Sequence, residues 1–414
     1  MDRLLPRHAS DAVEVALTDT PIVVIQGARQ VGKSTLAADV GRDRGRFVTL
    51  DDPAELAAAA ADPTSYVDQL TGGCLVIDEV QRVPDLVLAV KASVDRNRRP
   101  GRFLLTGSAN LLRLATTHDS LAGRAESVEL YGFSQGELEG HRERFIDRLM
   151  DGDLLLGHSG QLSRADYLER VCAGGYPEAL ARDGARRTRW FDEYVLRITE
   201  RDAPELSNLR RLQELPQLLR SIAAHNASEV ATATLARGLH LHETTVPEYL
   251  ALLETIYLVR RVPAWSNNLS RRITRRPKIA LVDCGLAARL VNVDATGLAA
   301  DMNPSPAGML TEGFVLSELR KQLAWSETVP AMFHFRDRNG PEVDVILESS
   351  DGRVVGVEVK ASATLGRADF RWLELLRDKL GRRFVGGVVL YLGNSPHAWG
   401  DRLAGLPLSA LWRA

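Results

Sequence analysis

The stretch PIVVIQGARQVGKSTLAADV, residues 21–40, decides the fold of the amino-terminal part of the chain. Its centre, Gly27 to Ser34, fits the pattern G-x-x-x-x-G-K-[ST] between an apolar strand and a helical segment. Glycines let backbone N–H groups turn inward around phosphate oxygens, and the helix amino terminus adds positive potential. The stretch therefore predicts the phosphate-binding loop of a P-loop NTPase.

The predicted loop assigns a role to each of its side chains. Lys33 is expected to reach the β- and γ-phosphates, and the Ser34 hydroxyl is expected to ligate Mg²⁺. The residues expected to contact ATP are Gly27, Ala28, Arg29, Gln30, Val31, Gly32, Lys33, Ser34 and Thr35. ATP and Mg²⁺ are thus the predicted cofactors.

A second motif, CLVIDE at residues 74–79, supplies two carboxylates after four apolar or small residues. A strand that ends there delivers Asp78 to the Mg²⁺ shell beside the loop. Glu79 is then placed to orient and activate the attacking water. A strand that ends in two acids by chance is the alternative, but together with the loop the motif favours ATP hydrolysis.

Two further segments predict contacts with the γ-phosphate. In RFLLTGSAN, residues 102–110, either Thr106 or Ser108 can sense it, and Ser108 is the favoured candidate over a plain polar turn. In SLAGRAESVEL, residues 120–130, Arg124 can stabilise transition-state charge, either in cis or in a neighbouring subunit. An ordinary surface ion pair is the alternative for Arg124.

The order of strand-like and helix-like segments predicts an α/β fold in three parts. Residues 1–140 alternate short apolar strands (PIVVIQ, RFVTLD, CLVIDE, RFLLTG) with helices, which predicts a parallel sheet covered on both faces. Residues 141–280 are predicted to form a helical lid and a winged-helix region. Residues 281–414 are predicted to form a mixed α/β domain.

Composition limits the class of protein. The chain has 414 residues, 45% apolar residues and a formal net charge of −2, so nucleic acid can be bound only through a local basic patch. No apolar run approaches the ~20 residues of a membrane span, and the first residues lack a signal-peptide core. The three cysteines match no zinc or disulfide spacing. A cytoplasmic protein is expected.

The middle part carries a helix-turn-helix pattern, TATLARGL followed by HLHE and TTVPEYLALLETIYLV. Thr244 or Thr245 can cap the second helix, and Pro247 lies in its first turn, where proline is tolerated. The segment Arg260 to Lys278 then holds seven basic residues and no acid. It can follow a phosphate backbone of DNA or RNA, although packing or a subunit contact is an equally ordinary use.

The late stretch EVDVILESSDGRVVGVEVKAS, Glu342 to Ser362, predicts two strands joined by a turn. Alternate residues of a strand share a face, so Asp344 and Glu358 can converge on one cation, with Lys360 beside them. Glu312, on the helix before, can complete the metal set Glu312, Asp344 and Glu358. Lys360 would stabilise charge or orient water. The alternative is that these side chains form the polar face of an ordinary hairpin. Arg336 is expected either to contact phosphate or to pair with Glu342.

Taken in order, these motifs resemble one family. LDDP, IDEVQRVPDL, LLTGSANLL, LAGRAESVELYGFSQGEL, GGYPEAL, ITERD, LVDCGLAARL, EGFVLSEL and EVDVILES with VEVK are similar to prokaryotic AAA-type ATPases that have a carboxyl-terminal PD-(D/E)XK-like domain. The resemblance covers nearly the whole chain. It implies an AAA-type ATPase core, a winged-helix module and a nuclease-like end domain, and it implies that Arg124 is an arginine finger.

Two main hypotheses about function follow. The first is a Mg²⁺-dependent ATPase, a homo-oligomer, whose nucleotide state controls a nuclease-like domain that acts on DNA or RNA, with a second Mg²⁺ or Mn²⁺ in that domain. The second is a regulatory, signalling or toxin-like module whose nuclease fold is silent and acts by binding a partner. A DNA translocase is a weaker third hypothesis.

Overall fold

The computed structural model describes residues 4–70, 72–107, 121–207, 209, 211–237, 239–268, 270, 272, 275–300, 305–337 and 340–413. The chain divides into two compact units. The first is Met1–Phe133 with Thr255–Tyr257, and the second is Ser134–Glu254 with Leu258–Ala414. The three-part division at residues 140 and 280 stays a prediction.

The first unit is built on a parallel sheet. Its strands are β1 Ile22–Gln26, β2 Gly45–Thr49, β3 Cys74–Asp78, β4 Phe103–Gly107 and β5 Ala125–Glu129. Its helices are Ala9–Asp19, Lys33–Gly41, Pro53–Ala61, Pro63–Asp68 and Asp85–Arg96, with a 3-10 turn at Val80–Arg82. The strand order is β2-β3-β4-β1-β5, and every pair is parallel. The predicted α/β class and parallel sheet are confirmed.

Burial follows the position of each strand in the sheet. Every residue of β1, β3 and β4 is buried, as expected for central strands covered on both faces. The expectation of full burial is wrong for β2, where Phe47 keeps 39% of its surface exposed because β2 is an edge strand. The other edge strand, β5, was not expected from the sequence, since its residues AESVE are largely polar.

The strand order brings particular strand ends together. Because β4 lies between β1 and β3, the carboxyl ends of these three strands meet at one edge of the sheet. The phosphate-binding loop leaves β1 at this edge, Asp78 ends β3 there, and Thr106 lies near the end of β4. The fold thus places the predicted nucleotide-binding side chains side by side.

The second unit combines many helices with two sheets. The α-helices lie at Gln135–Glu139, Phe145–Met150, Arg164–Ala173, Pro177–Leu180, Gly184–Arg197, Ala203–Leu206, Leu215–Ala223, Thr232–Ala236, Val246–Thr255, Cys284–Leu290, Ala295–Ala299, Ala307–Leu323, Arg371–Leu380 and Ala410–Arg413. A π-helical turn spans Ile198–Asp202, and 3-10 turns lie at Leu212–Glu214, Arg367–Phe370 and Gly381–Arg383.

A small antiparallel sheet follows the predicted helix-turn-helix. Strands β6 Ser228–Glu229, β7 Val259–Val262 and β8 Lys278–Leu281 are arranged in the order β6-β8-β7. The two helices before β7 begin at Thr232 and Val246, which places Pro247 in the first turn of the second helix, as predicted. Whether this arrangement acts as a winged helix stays a prediction.

The carboxyl-terminal sheet is mixed, as expected. Its strands are β9 Ala331–Arg336, β10 Glu342–Glu348, β11 Val354–Lys360, β12 Phe384–Tyr391, β13 His397–Ala398 and β14 Leu403–Pro407, in the order β13-β14-β12-β11-β10-β9. Strands β10 and β11 pair antiparallel, with Val345 opposite Val357. The helix Ala307–Leu323 packs against β11. Among the described residues, no helix is both long and apolar enough to cross a membrane.

Candidate nucleotide site and carboxylate cluster

The phosphate-binding loop is shaped by its glycines. Gly27 has a φ of 153°, and a Cβ placed there would lie 2.1 Å from the Leu130 carbonyl oxygen. Gly32 has a φ of 97° and caps the helix Lys33–Gly41. Both conformations suit glycine and disfavour any residue with a Cβ. The two glycines therefore have the backbone conformations that the phosphate-binding motif predicts.

The side chain of Lys33 lies inside this loop. It is buried, and its Nζ donates hydrogen bonds to the carbonyl oxygens of Gly27 at 3.1 Å and Ala28 at 2.8 Å. A triphosphate in the loop would offer the ammonium stronger, charged acceptors. Among the other predicted loop residues, Ser34 is half-buried and Thr35 is exposed. Lys33 is thus held at the position where phosphates are expected.

Asp78 is fixed by two threonines from the neighbouring strands. Thr106 Oγ1 donates to Asp78 Oδ1 at 2.5 Å, and Thr49 Oγ1 donates to Oδ2 at 3.1 Å. The carboxylate is buried at the edge of the sheet from which the loop leaves. Mg²⁺ commonly takes one or two carboxylates together with water and substrate phosphates, so these residues fit a Mg²⁺–ATP site.

Glu79 has an unusual backbone conformation beside Asp78. Its φ is 57°, in the left-handed region, and its N–H donates to Thr106 Oγ1 at 3.0 Å. Its side chain accepts a hydrogen bond from Gln81 Nε2. Strained backbone of this kind concentrates at functional sites. Thr106 thus hydrogen-bonds both Asp78 and Glu79. Ser108, the favoured γ-phosphate sensor, lies outside the described residues.

Arg124 lies far from this edge of the sheet. It precedes β5, whose first residue, Ala125, pairs with Ile22 at the start of β1, and β1 runs four residues further before the loop begins. At about 3.3 Å per residue, that separation is about 13 Å. The guanidinium instead pairs with Asp95 at 2.6 Å. Of the two predicted modes, this arrangement argues against action in cis, and action from a neighbouring subunit stays a prediction.

Arg7 contacts the loop in a way that the sequence did not suggest. Its Nη1 donates to the Val31 carbonyl at 2.8 Å, and its Nη2 donates to the Tyr131 carbonyl at 2.6 Å. The guanidinium also lies 4.5 Å from the centre of the Phe133 ring. No motif marks Arg7, since its partners are 24 and 124 positions away.

In the second unit, the structure brings the predicted acids of β10 and β11 together. Strands β10 and β11 pair as far as Val345 opposite Val357, and Asp344 and Glu358 are the next residue on each strand. Asp344 Oδ2 accepts a hydrogen bond from the Val359 N–H at 2.9 Å, and Lys360 Nζ donates to Glu358 Oε1 at 2.7 Å. The predicted shared face of these strands is present.

Lys278 occupies the middle of the cluster. Its Nζ lies 2.6 Å from Glu312 Oε1, 3.1 Å from Glu342 Oε1 and 3.2 Å from Asp344 Oδ1, and only 1% of its side chain is exposed. Burial opposes the ammonium charge, but the Asp344, Glu312 and Glu342 carboxylates outweigh it and raise the pKa of Lys278. The prediction that Lys278 belongs to a phosphate-contacting surface is therefore wrong.

The remaining carboxylates of the cluster are poorly solvated. Burial, followed by the charge of Asp344, raises the pKa of both Glu312 and Glu358 to about 8. Glu358 Oε2 is buried without a hydrogen-bond partner among the described residues. Like charges on neighbouring strands repel, and Lys360, which donates to Glu358 Oε1, offsets only part of this repulsion.

The predicted ligand set does not fit a divalent cation in this arrangement. Two of its three members, Glu312 and Asp344, are bonded to the Lys278 ammonium rather than directed at an empty position. Within the described ranges, no group of three or more His, Cys, Asp or Glu side chains is arranged to hold a metal ion. The metal assignment from the sequence thus overlooked a lysine from a separate sheet.

The basic segment before Lys278 is largely tied into the second unit. Arg272 pairs with Glu348 at 2.5 Å and lies over the ring of Phe333. Arg275 donates to the Arg336 carbonyl at 2.6 Å. Arg271 lies outside the described residues. These contacts weaken the expectation of a free, phosphate-tracking loop, because Arg272 and Arg275 already have partners in the same unit.

Arg336 completes the outer rim of the cluster. Of its two predicted roles, the structure shows the ion pair, with Nη1 3.6 Å from Glu342 Oε2. Glu342 therefore lies between two cations, Lys278 and Arg336. This sharing lowers the negative charge that the cluster presents to solvent.

Three families of known proteins match separate parts of the chain. Residues 19–139 match the family described as "AAA domain". Residues 164–297 and 307–411 match two families described as "Domain of unknown function", DUF8612 and DUF4143. The AAA match spans the sheet and the loop described above, which identifies an ATP-binding AAA-type domain.

Similar structures and sequences come from bacteria. The AMPPCP-bound DnaA of Aquifex aeolicus is 13% identical and covers 59% of this chain and 85% of its own, with a TM-score of 0.30. The Thermotoga maritima RuvB branch migration motor is 18% identical over 62% of this chain and 87% of its own, with a TM-score of 0.27. Likenesses of this extent carry no functional information.

Two curated relatives are much more similar. "Uncharacterized protein Rv2008c" of Mycobacterium tuberculosis and "Uncharacterized protein Mb2031c" of Mycobacterium bovis are each 32% identical over 360 residues. The alignments cover 86% of this chain and 74% of each relative. The chain therefore belongs to the family of these mycobacterial proteins, and residues 19–139 form its AAA domain.

Proposed function

We propose that this protein hydrolyses ATP with Mg²⁺ and that its nucleotide state controls its carboxyl-terminal part. The observation that carries the proposal is the hydrogen-bonded group at the edge of the first sheet. There, Asp78 is held by Thr49 and Thr106, and Thr106 also accepts from the Glu79 N–H. A group prearranged in this way orients metal and water without reorganisation during the reaction.

Each side chain of the group has a defined task. The loop amides and Lys33 hold the triphosphate, and Ser34 and Asp78 hold Mg²⁺. Glu79 orients the water that attacks the γ-phosphate. Thr106 acts as a positioning residue, because it hydrogen-bonds the Asp78 carboxylate and the Glu79 N–H.

Arg124 completes the site from a neighbouring subunit. Its place at the start of β5 is about 13 Å from the loop of its own chain by the strand spacing, which supports action in trans over action in cis. The protein then works as a homo-oligomer, in which each nucleotide is shared between two copies.

The test is ATP turnover by the full chain and three variants. Lys33→Ala is expected to abolish nucleotide binding and turnover, whereas Glu79→Gln keeps binding and loses turnover. Arg42→Ala is the matched control. Arg42 directly follows the helix Lys33–Gly41, which begins at the loop lysine, and 67% of its side chain is exposed. Unchanged turnover in Lys33→Ala would overturn the proposal.

For the carboxyl-terminal part, the first candidate is a nuclease-like domain that acts on nucleic acid under control of the ATPase. It is supported by the meeting of Asp344, Glu358 and Lys360 on one sheet, which is the side-chain set such a domain uses. The second candidate is a silent fold that binds a partner. It is favoured by Lys278, whose ammonium lies among the acids that a metal would need.

One set of assays can separate the two candidates. Nicking of DNA and RNA is measured with Mg²⁺ or Mn²⁺ in the wild type, Asp344→Ala and Glu358→Ala, alongside the ATPase rate with and without nucleic acid. Nicking that both variants lose supports the nuclease. The absence of nicking under every condition, with ATPase intact, supports the silent, partner-binding domain.

A further inference from the structure

The carboxylate cluster of the second unit is organised around an ammonium group. Lys278 Nζ has oxygens of Glu312, Glu342 and Asp344 at 2.6 to 3.2 Å. Lys278 donates hydrogen bonds to Glu312 and Asp344 and forms an ion pair with Glu342, and an ammonium has three N–H groups to donate. Mg²⁺ would instead need oxygens at about 2.0–2.1 Å in octahedral geometry.

The lysine comes from a different sheet than the acids. Lys278 begins β8, whose four residues are all buried, while Asp344 lies on β10 and Glu312 on the helix Ala307–Leu323. Partners that are 34 and 66 positions away bond to this one group. A buried lysine without partners would be costly, so the acids and the lysine stabilise each other.

We propose that Lys278 is a tethered cation that holds the metal position of the nuclease-like sheet, so that the native protein binds no divalent cation there. The proposal agrees with the silent, partner-binding candidate and opposes the metal-dependent nuclease, and it does not depend on ATP hydrolysis in the first unit. It predicts that removal of the ammonium creates a divalent-cation site lined by Glu312, Glu342 and Asp344, the three carboxylates that the ammonium contacts, with Glu358 beside Asp344.

The unpartnered oxygen of Glu358 supports the second half of the proposal. Oε2 is buried with no hydrogen-bond partner in the described part of the chain, next to Asp344 on the adjacent strand. With Lys278 present, a divalent ion at this point would meet a positive charge at short range. Without it, Asp344 loses its ammonium partner, while Lys360 still donates to Glu358 Oε1 and leaves Oε2 without a partner in the described residues.

The experiment measures Mn²⁺ binding by electron paramagnetic resonance and by calorimetry, on the full chain without nucleotide. The wild type and Lys278→Arg, which keeps the charge, are expected to bind no Mn²⁺ in the second unit. Lys278→Met is expected to bind Mn²⁺ at least about a hundredfold more tightly than the wild type. The double variant Lys278→Met with Asp344→Asn is expected to lose that binding.

Thermal unfolding provides the second readout. Lys278→Met leaves the acids unpaired and lowers the unfolding temperature, and Mn²⁺ is expected to restore part of the loss, with no shift in the wild type. Mn²⁺ binding in the wild type that Asp344→Asn removes would overturn the proposal, and so would a folded Lys278→Met that binds none. If Lys278→Met does not fold, the wild type and Asp344→Asn still decide whether a metal site is present.

Discussion

The position of Arg124 leads to a prediction about subunit action. Replacing Arg124 with alanine removes a guanidinium that precedes β5, at the opposite end of the strands from the phosphate-binding loop. Because β5 pairs with β1 from Ala125 and Ile22 onward, four residues of strand separate Arg124 from the loop, about 13 Å. The side chain cannot reach the nucleotide of its own chain in this arrangement.

The size of the effect follows from the role of the charge. Arginines that stabilise a transferring phosphoryl group contribute about 10³ to 10⁵ in rate, so we expect Arg124→Ala to slow hydrolysis by at least about a hundredfold. Its present partner, Asp95, is half-exposed, and ion pairs of this kind hold their partners weakly. Arg124 is therefore available to a second copy of the chain.

The assay mixes two inactive variants. Arg124→Ala keeps an intact loop but lacks the arginine, whereas Lys33→Ala lacks the loop lysine but keeps Arg124. If Arg124 acts in trans, a mixture recovers turnover that neither variant has alone. Arg98→Ala serves as the control, because Arg98 lies nearby and its exposed guanidinium donates only to the Gly123 carbonyl in the described structure.

Two results would refute this reasoning. Full turnover by Arg124→Ala would show that the arginine has no part in hydrolysis. Turnover per chain that stays constant on dilution to the monomer, and is lost in Arg124→Ala, would show that the arginine acts in cis after a rearrangement.

Three further outcomes are expected. Thr106→Val removes the donor to buried Asp78, which should lower stability by about 1.5–3 kcal/mol and reduce turnover more than ATP binding, as measured by denaturation and a fluorescent nucleotide. Arg7→Ala frees the Val31 carbonyl and should weaken ATP binding several-fold in the same nucleotide assay, while Arg42→Ala should not. The pKa of Glu358 is about 8 in the folded state and near 4.3 in the unfolded chain. Between these values the folded state keeps a proton that the unfolded chain releases. The free energy of unfolding that this proton contributes is therefore lost as the pH rises toward 8. From pH 6.5 to pH 8, with chelator present, the unfolding temperature of Glu358→Gln should therefore fall less than that of the wild type. An equal fall would contradict the raised pKa of Glu358.

The sequence was most informative where function depends on neighbours along the chain. The loop at Gly27 to Ser34 and the strand before Asp78 are local patterns, and the parallel sheet follows from their order. The period of two along β10 and β11 likewise predicts that Asp344 and Glu358 share a face. These features need only short-range geometry, which a single sequence contains.

Features that depend on contacts between distant segments were missed. Strand β5 is an edge strand with a mostly polar sequence, and such strands are stabilised by their neighbour rather than by an apolar pattern. Arg7 donates to Tyr131 across 124 positions, a contact that no local motif predicts. The sign of each charge was visible in the sequence, but its partner was not.

Lys278 shows what a motif can conceal. In the sequence it ends a run of basic residues, which favours an electrostatic surface; in the structure it opens the wholly buried strand KIAL. A lysine at the head of an apolar strand is rarely buried without an acid, and that pattern could have directed attention to Glu312 and Asp344 as its partners. The sequence contains every acid and the lysine of the motif. However, Lys278, which lies outside the motif, supplies the positive charge that a metal would supply. Whether this domain cuts or only binds therefore depends on the cation held between the acids, and Lys278 is the residue to change first.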